Sequence, residues 1–584
     1  MKQEIKNNMH WILRFIRKNG VLCYIQHIFF LMFHMKNKDY NWWRKKNNIQ
    51  KRDLVRQKKS IFELKPKFSI IIPIEYADKK KIKKIIEFLQ QQSYENWELC
   101  LSIRCEAKVF DYDDDRVKVI ESRKNLSMVG GINHALEFVT GEFIMIIQEN
   151  DELEFNALYE CVKLLNCHPE IEFIYTDEDC LSVKGKKYTC PHFKSDFNLD
   201  LLRSMNYIGH LYVVKKDLQK RVGLFCEEMG GEYEYDFILR CIEKSESIWH
   251  IPKVLYHKKE SKKQIDNIDK RKQVVEEHLK RCQEKATVEI GKRTGICRVR
   301  YQLDREPFIS IIVPNKDHVD DLNRCIQSIY RISDYSNFEI LIIENGSDEK
   351  RTFEYYRNLL GQHKNIKVIF WNKSGEFNYS ALNNYGVKSA EGEYLLFLNN
   401  DTEIINKNCI SEMVSHAVRG EVGAVGAKLY YPNGTIQHAG VILGLGGIAG
   451  HAFCGLENDL YSYFLRSSCI QDYSAVTAAC MMMPKTLFEE IGGFEENLKV
   501  AFNDVDLCMK IRKKGKMIVY TPYARLYHYE SKSRGIEDTE EKKRRFLGEV
   551  DYFAKKWKHE LEKGDPYYNP NLTLERNDFS LRIV

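Results

Sequence analysis

The chain carries one ordered set of short motifs twice, which commits it to a duplicated fold. Phe68-Ser69-Ile70-Ile71-Ile72-Pro73 returns as Ile309-Ser310-Ile311-Ile312-Val313-Pro314, and Trp97-Glu98-Leu99 as Phe338-Glu339-Ile340, both at one offset. Farther along, Thr140-Gly141-Glu142-Phe143 matches Glu391-Gly392-Glu393-Tyr394, and Val222-Gly223-Leu224-Phe225 matches Ile491-Gly492-Gly493-Phe494. Leu255-Tyr256-His257 likewise matches Leu526-Tyr527-His528. Solenoid repeats run about 20–50 residues, and this spacing is several times longer, so each copy is a domain. The 584 residues also exceed what one hydrophobic core fills, roughly 250–300.

Each copy opens with a nearly continuous apolar strand ending at proline, then a polar helix, then a second apolar strand. That rhythm predicts an α/β fold with a parallel sheet covered on both faces. In the second copy it predicts strands at Ile309–Val313, Glu339–Ile343, Lys367–Phe370 and Glu393–Leu398, with helices near Asp320–Arg331 and Tyr379–Ser389. The divisions expected are a basic helical N-terminal region (1–60), a first domain (61–260), a packed, charged connector (261–306), a second domain (307–540) and a polar C-terminal tail (541–584).

The formal charge of +7 is unevenly distributed: residues 1–60 hold 15 Lys+Arg against 3 Asp+Glu, or +12, which leaves the remainder at 7 − 12 = −5. Inside that basic region Val21–Met35 is apolar but interrupted by Gln26, His27 and His34. It is short of the ~20 apolar residues of a spanning helix, and no small-residue cleavage site follows it. With Trp11, Phe15, Trp42 and Trp43 among basic residues, two readings stand side by side: a helix lying on an anionic membrane surface, or a helical cap packed on the first domain. The 17 cysteines include no C-x-x-C pair, which argues against zinc and for reduced thiols in the cytosol. No nucleic-acid-binding module is recognisable.

In open parallel sheets ligands bind beyond the carboxyl ends of the strands. In the second copy those ends are polar: Pro314-Asn315-Lys316-Asp317, Glu344-Asn345-Gly346-Ser347 and Asn399-Asn400-Asp401-Thr402. An Asp ending a buried strand suits a hard divalent cation that takes its other ligands from phosphates and water, although Asn-Asn-Asp also favours a plain turn. No G-x-G-x-x-G fingerprint occurs at these turns, which counts against a dehydrogenase.

The context of Asp401 is Gly492-Gly493-Phe494-Glu495-Glu496, Asn503-Asp504-Val505-Asp506, Tyr520-Thr521-Pro522 and His528-Tyr529-Glu530-Ser531-Lys532-Ser533-Arg534-Gly535, together with Phe377-Asn378-Tyr379-Ser380, Gln437-His438-Ala439-Gly440 and Ala475-Val476-Thr477-Ala478-Ala479-Cys480. From about Lys67 to Gly535 the chain resembles the inverting family 2 glycosyltransferases, specifically bacterial two-domain members that build surface polysaccharides. The resemblance implies two tandem GT-A domains, Rossmann-like folds that bind nucleotide-diphospho-sugars. It implies a divalent metal, Mg²⁺ or Mn²⁺, held by Asp401 with His528 as a further ligand, and a catalytic base at Asp504. It also implies nucleotide-sugar contacts from Pro314, Asn315, Glu344, Asn345, Asn399 and Asn400, with Arg534 as a second positive clamp on the diphosphate. The family's usual second acidic residue is Asn345 here. Asp506, two residues beyond Asp504, is expected to act as a like-charged neighbour if both are buried.

The first copy departs from this pattern. Related first domains usually carry Asp-x-Asp-Asp where this chain has Gln148-Glu149-Asn150-Asp151. Glu234 stands at the place of Asp504, and Ile103-Arg104 at that of Glu344-Asn345. The expectation is an inverting, metal-dependent enzyme that moves a sugar from a nucleotide donor to a growing lipid-linked or cell-surface glycan. Catalysis would sit in the second domain, and the first would serve as scaffold or acceptor platform. The rival reading is a non-catalytic sugar-nucleotide or glycan-binding subunit of a polysaccharide assembly complex.

Overall fold

The computed structural model describes the chain except residues 1–36, 76–77, 104–113, 122–125, 183–186, 260–266, 292–294, 372–376, 458, 460–461, 530–538 and 584. Two compact units are present, Met1–Phe197 with Asn206–Cys282 and Ile583–Val584, and Asn198–Met205 with Gln283–Arg582. Of the connector expected over 261–306, the helix Ile268–Arg281 belongs to the first unit and the antiparallel hairpin of β10 (Ala286–Ile290) and β11 (Cys297–Tyr301) to the second.

The strands of the first unit are β1 (Phe68–Ile74), β2 (Trp97–Ile103), β3 (Val117–Glu121), β4 (Phe143–Ile146), β5 (Glu152–Leu153), β6 (Phe173–Leu181), β7 (Tyr188–His192), β8 (Tyr212–Lys215) and β9 (Ile248–Lys259). They form one sheet in the order β3-β2-β1-β4-β8-β6-β9-β5, with β7 beside β6. In the second unit β12 (Ile309–Asn315), β13 (Phe338–Glu344), β14 (Ile366–Phe370), β15 (Tyr394–Leu398), β16 (Thr402–Ile404), β17 (Val422–Tyr430), β18 (Ile436–His438), β22 (Cys480–Pro484) and β23 (Met517–His528) repeat that order strand for strand: β14-β13-β12-β15-β22-β17-β23-β16, with β18 beside β17; in addition β21 (Gln471–Asp472) pairs with β23, and β19 (Val441–Leu443) with β20 (Ala449–His451). Even the register repeats, since Phe68 pairs with Trp97 and Phe143 as Ile309 pairs with Phe338 and Tyr394. The duplication read in the sequence is thus a duplication of topology, and the expected strands and helices of the second copy are found within two residues of their predicted ends.

Both central strand pairs, β1–β2 and β12–β13, are buried along their whole length, as runs of β-branched residues covered by helices on both faces must be. Each carries a buried glutamate at the second residue of its second strand. Glu98 accepts hydrogen bonds from Ser69 Oγ at 2.6 Å, Thr140 N at 2.5 Å and Thr140 Oγ1 at 2.6 Å. Glu339 accepts from Ser310 Oγ at 2.6 Å and Glu391 N at 2.7 Å, and pairs with Lys367 at 3.0 Å. In the same arrangement the Gly141 and Gly392 amides donate to Ser69 Oγ and Ser310 Oγ at 2.9 and 2.8 Å. Burial alone would raise both carboxyl groups; the hydroxyl, amide and lysine donors outweigh it and hold them below the usual carboxylate range. The repeated Ser, Glu and Gly therefore lock three strands together in each copy.

A Cβ on Gly392 would stand 2.4 Å from Ser310 N, and one on Gly141 2.6 Å from Lys67 O. Backbone cannot yield as a flexible side chain can. Gly141→Ala and Gly392→Ala are each expected to destabilise their own unit by about 1–3 kcal/mol, the usual range for overpacking, read as a lowered denaturant midpoint.

Candidate functional site

In the second unit the polar strand ends meet at one edge of the sheet. Asn399, Asn400 and Asp401 join β15 to β16, and β16 pairs with the end of β23 so that Thr402 lies opposite His528. Asp401 is buried and its Oδ1 stands 3.1 Å from His528 Nε2. On the far side of the ring, His528 Nδ1 meets Gln437 Oε1 at 2.7 Å, while Asn399 Nδ2 approaches Nε2 at 3.2 Å. An amide oxygen only accepts and an amide nitrogen only donates, so a neutral ring carries its proton on Nδ1 and accepts from Asn399 at Nε2, with Asp401 Oδ1 beside that nitrogen. Asp401 Oδ1 is enclosed and receives no hydrogen bond. Burial alone would raise the Asp401 carboxyl, but hydrogen bonding and charge from the His528 ring, in its protonated form, outweigh burial and hold it below its ordinary value.

A carboxylate oxygen without a hydrogen bond beside an imidazole nitrogen is a donor set that would suit a divalent cation. Adjacent ligands of an octahedral Mg²⁺ or Mn²⁺, each about 2.1 Å from the ion, stand about 3.0 Å apart, and the observed 3.1 Å fits. Two protein ligands leave the remaining positions to phosphate and water. Among the described residues the trio with ligand atoms within 4.8 Å of one another is Glu243, His278 and Cys282, in the first unit. That carboxylate is already forked by Arg281 Nε and Nη2 at 2.8–3.0 Å, which neutralises it.

Asp504 reaches the same sheet end by a chain of local contacts. Asn378 caps the helix Tyr379–Val387 through Ala381 N. Its neighbours then grip the segment after Gly493: Tyr379 N takes Lys499 O at 2.8 Å, Ser380 Oγ takes Leu498 O at 2.6 Å, and Phe494 exchanges both backbone bonds with the Asn384 amide. Next, Glu549 on the helix Glu540–Lys556 accepts from Val500 N and Ala501 N at 2.9 and 3.0 Å. Phe502 turns through the left-handed region and starts the helix Asn503–Lys513 with Asp504 in its first turn, where an anion is favoured. The half-buried carboxylate accepts from Val505 N at 2.8 Å and Ala478 N at 3.2 Å. The Ala478 contact brings Asp504 beside the β15–β22 pair, whose last register, Leu398 with Cys480, leads into Asp401. Tyr379 lies in the electrostatic reach of both Asp504 and Asp401.

The like-charge expectation for Asp506 required both carboxylates to be buried, and Asp504 is only half-buried. Residues i and i+2 of a helix point apart, and the buried Asp506 carboxylate is engaged on the other side by Trp557 Nε1 at 2.7 Å, Lys556 at 2.8 Å and Lys510 at 3.3 Å. It anchors the C-terminal helices to the helix bearing Asp504. Glu344 is also turned inward: its oxygens take the Ser347 amide and hydroxyl and the Tyr356 hydroxyl at 2.6 Å, with the Ser347 hydroxyl at 2.8 Å. Asn315 links this turn to Asn400, accepting from Asn400 Nδ2 at 2.7 Å and donating to Tyr356 at 2.8 Å. Pro314 is buried in β12, and Asn345 is half-buried with its amide on Asn315 O at 2.9 Å. Arg534 lies outside the described residues, as do Arg104 and the apolar stretch 21–35. Sequence reasoning passed over Gln437, Glu549 and Trp557 as individual residues, and a lone tryptophan among lysines near the end of the chain was the available signal for the last.

The counterpart in the first unit is built differently. By the β4 register Gln148 and Asn150 fall at the places of Asn399 and Asp401, and one extra residue precedes β5. Asp151 accepts instead from Tyr256 Oη at 2.6 Å and Lys259 N at 2.8 Å. His257, at the position of His528, has Nδ1 on Asp179 at 2.6 Å and Nε2 on Glu154 at 3.2 Å. Into this cluster the helix Asn37–Asn47 inserts Arg44, 3.0 Å from both carboxylates, and Tyr40, whose hydroxyl donates to Asp179 at 2.5 Å. Trp43 packs edge-on against Phe193, so this part of the basic region is the packed cap of the two readings. Glu234 stands in the first turn of its helix, raised above its usual range by burial, with Tyr212 Oη at 3.3 Å and His210 at 3.6 Å.

Arg44→Ala would take the shared guanidinium from buried Asp179 and half-buried Glu154 and is expected to destabilise the first unit by about 3–5 kcal/mol, read by equilibrium denaturation. Burial alone would lower the His257 imidazolium, but Asp179 and Glu154 hold it above its ordinary value. Its contribution is therefore whole below about pH 6.5 and is lost as pH rises through the raised folded value. Glu154, held low against burial by His257 and Arg44, supplies the opposite limb and loses its share at acid pH. In the second unit Trp557→Phe removes a buried donor to a charged group and is expected to cost about 1.5–3 kcal/mol, measured the same way.

No helix among the described residues is long and apolar enough to cross a membrane. A protein-family model described as glycosyl transferase family 2 matches residues 69–207 and 310–492, the front of both sheets. An uncharacterized protein y4gI of Sinorhizobium fredii is 41% identical over 537 residues, 88% of this chain and 58% of the relative. The O-antigen biosynthesis protein RfbC of Myxococcus xanthus is 34% identical over 540 residues, 89% of this chain and 41% of the relative. The chain thus spans about half the length of these relatives. A crystal structure of GalNAc-T7 with UDP, GalNAc and Mn²⁺ aligns with 47% of this chain and 52% of its own at a TM-score of 0.37 and 14% identity. With its two matched segments lying in two sheets of one repeated order, the chain belongs to glycosyl transferase family 2 and is built from tandem GT-A domains.

Proposed function

We propose that the second unit transfers a sugar, with inversion, from a nucleotide-sugar donor to a growing lipid-linked or cell-surface glycan, and that it needs a divalent metal. The observation that carries this reading is the enclosed Asp401 oxygen facing His528 Nε2 at 3.1 Å, at the same sheet end as Asp504. Asp401 and His528 would hold Mg²⁺ or Mn²⁺. When bound, that ion neutralises the charge growing on the leaving diphosphate.

Asp504 is the base. Its carboxylate takes the proton of the acceptor hydroxyl as that oxygen bonds to the anomeric carbon from the face opposite the donor phosphate. The bond between that carbon and the phosphate oxygen breaks, and the electron pair leaves with the nucleoside diphosphate. Both backbone donors on Asp504, Val505 N and Ala478 N, favour the anion, the form that accepts a proton. Asn399, Asn400, Asn315, Pro314, Asn345 and Arg534 are proposed to line the donor site. Glu344 serves it indirectly, through the turn it closes.

The first unit is proposed to be a scaffold or acceptor platform. Asn150 falls where Asp401 stands, and His257 already spends both ring nitrogens on carboxylates. The acceptor's glycan character follows from the O-antigen role in the name of the Myxococcus relative. An anionic membrane surface is proposed to be met by residues ahead of the packed helix Asn37–Asn47.

A transfer screen with UDP-, dTDP- and GDP-sugars and Mn²⁺ or Mg²⁺ tests this. One donor is expected to turn over only with metal. Asp504→Asn should lower the rate by about 10²–10⁴, the range for a positioned base, while Glu234→Ala leaves it within a few-fold. Metal-dependent donor binding without turnover would favour the binding-subunit reading, and turnover that survives Asp504→Asn but not Glu234→Ala would move catalysis to the first unit.

A further inference from the structure

The geometry points to Gln437 as the residue that positions His528 for the metal, an inference that rests on the metal reading above. Gln437 sits on β18, and its side chain is buried against the last residue of β23. A neutral imidazole has one protonated and one bare nitrogen, and nothing in the ring itself makes Nε2 the bare one. The 2.7 Å contact from Nδ1 to Gln437 Oε1 provides an acceptor that requires Nδ1–H. Nε2 is then the ring's acceptor, 3.2 Å from the Asn399 amide nitrogen and 3.1 Å from Asp401 Oδ1, and an ion there would compete only with the weaker Asn399 contact.

Gln437 is itself held. Its backbone oxygen meets His451 Nδ1 at 3.1 Å, and the next residue, His438, packs edge-on against the His451 ring at a centroid distance of 4.8 Å. Three residues on, Gly440 has a φ of +101° and a Cβ there would stand 2.3 Å from the Tyr473 ring, so β18 must leave the sheet by this one path. Gln437 and Gly440 belong to one short motif because the strand that carries the amide has to turn sharply behind it. A neutral amide also suits the role. A carboxylate would add a second negative charge to the cluster, whereas the amide orients the ring at no cost in charge.

Outer-shell partners of metal-bound histidines typically contribute 10–100-fold in metal affinity. The test is Mn²⁺ binding by the full chain with UDP or GDP present, followed by the electron paramagnetic resonance signal of free Mn²⁺. Gln437→Met keeps the side-chain length and removes the acceptor; it is expected to weaken Mn²⁺ about 10–100-fold with an unchanged circular dichroism spectrum. Gln437→Glu restores an acceptor and is expected to bind within a few-fold of the parent, which also serves if the Met variant unfolds. In a His528→Ala background Gln437→Met should change nothing further, since Gln437 acts through that ring. Parent-like affinity in Gln437→Met, or an additive loss in the double variant, overturns the role of Gln437 while leaving the metal reading intact. Failure of the parent chain to bind Mn²⁺, or binding that survives Asp401→Asn, overturns the metal reading and this inference with it.

Discussion

A carboxylate buried inside a three-strand joint is the constraint on which each half of this protein depends. Glu98 and Glu339 are placed where a charge has no water, and they persist because a serine hydroxyl, a backbone amide and a lysine converge on each. A buried anion with a complete set of donors is tolerated, and one with a partner missing is not. The serine, the glutamate and the glycine that lets the third strand approach are therefore bound to one another, and all three recur in both copies. The joint sets the register of the central strands, and the register decides which residues emerge at the strand ends.

With the frame held constant, the two copies differ in what they do with those ends. The second brings Asp401 and His528 together across β16 and β23 and leaves the facing Asp401 oxygen without a hydrogen bond. The first has the same histidine at the same place on its strand but surrounds it with Asp179 and Glu154 and closes the cluster with Arg44. A guanidinium from a helix ahead of the domain supplies positive charge to that cluster and balances its carboxylates from within.

The base position is held from three directions. The helix after Asn378 grips the segment following Gly493, Glu549 grips Val500 and Ala501, and Trp557 with two lysines grips Asp506. A half-buried carboxylate in the first turn of a helix is aimed only as well as the backbone ahead of it. Much of the motif content of the second copy is accordingly spent on that backbone.

Periodicity and repetition in the sequence were enough to reveal two α/β domains and the strands that build them, while Asp401, Asp504 and His528 were singled out through the family resemblance and stand as proposals. The strands follow from local rules, since an apolar run covered on both faces must be a strand and the polar residues that end it must sit at the sheet's edge. What Asp506 and Glu344 do was not legible, because their partners, Trp557 and Tyr356, are 51 and 12 residues away and no pattern in sequence links them. The same holds for Arg44, whose charge read as part of a basic run until the fold placed it 135 residues along the chain against Asp179. Residue types and their spacing determine which groups a strand end can offer; only packing across the sheet decides whether a carboxylate there faces a proton, an arginine or an open position for a metal.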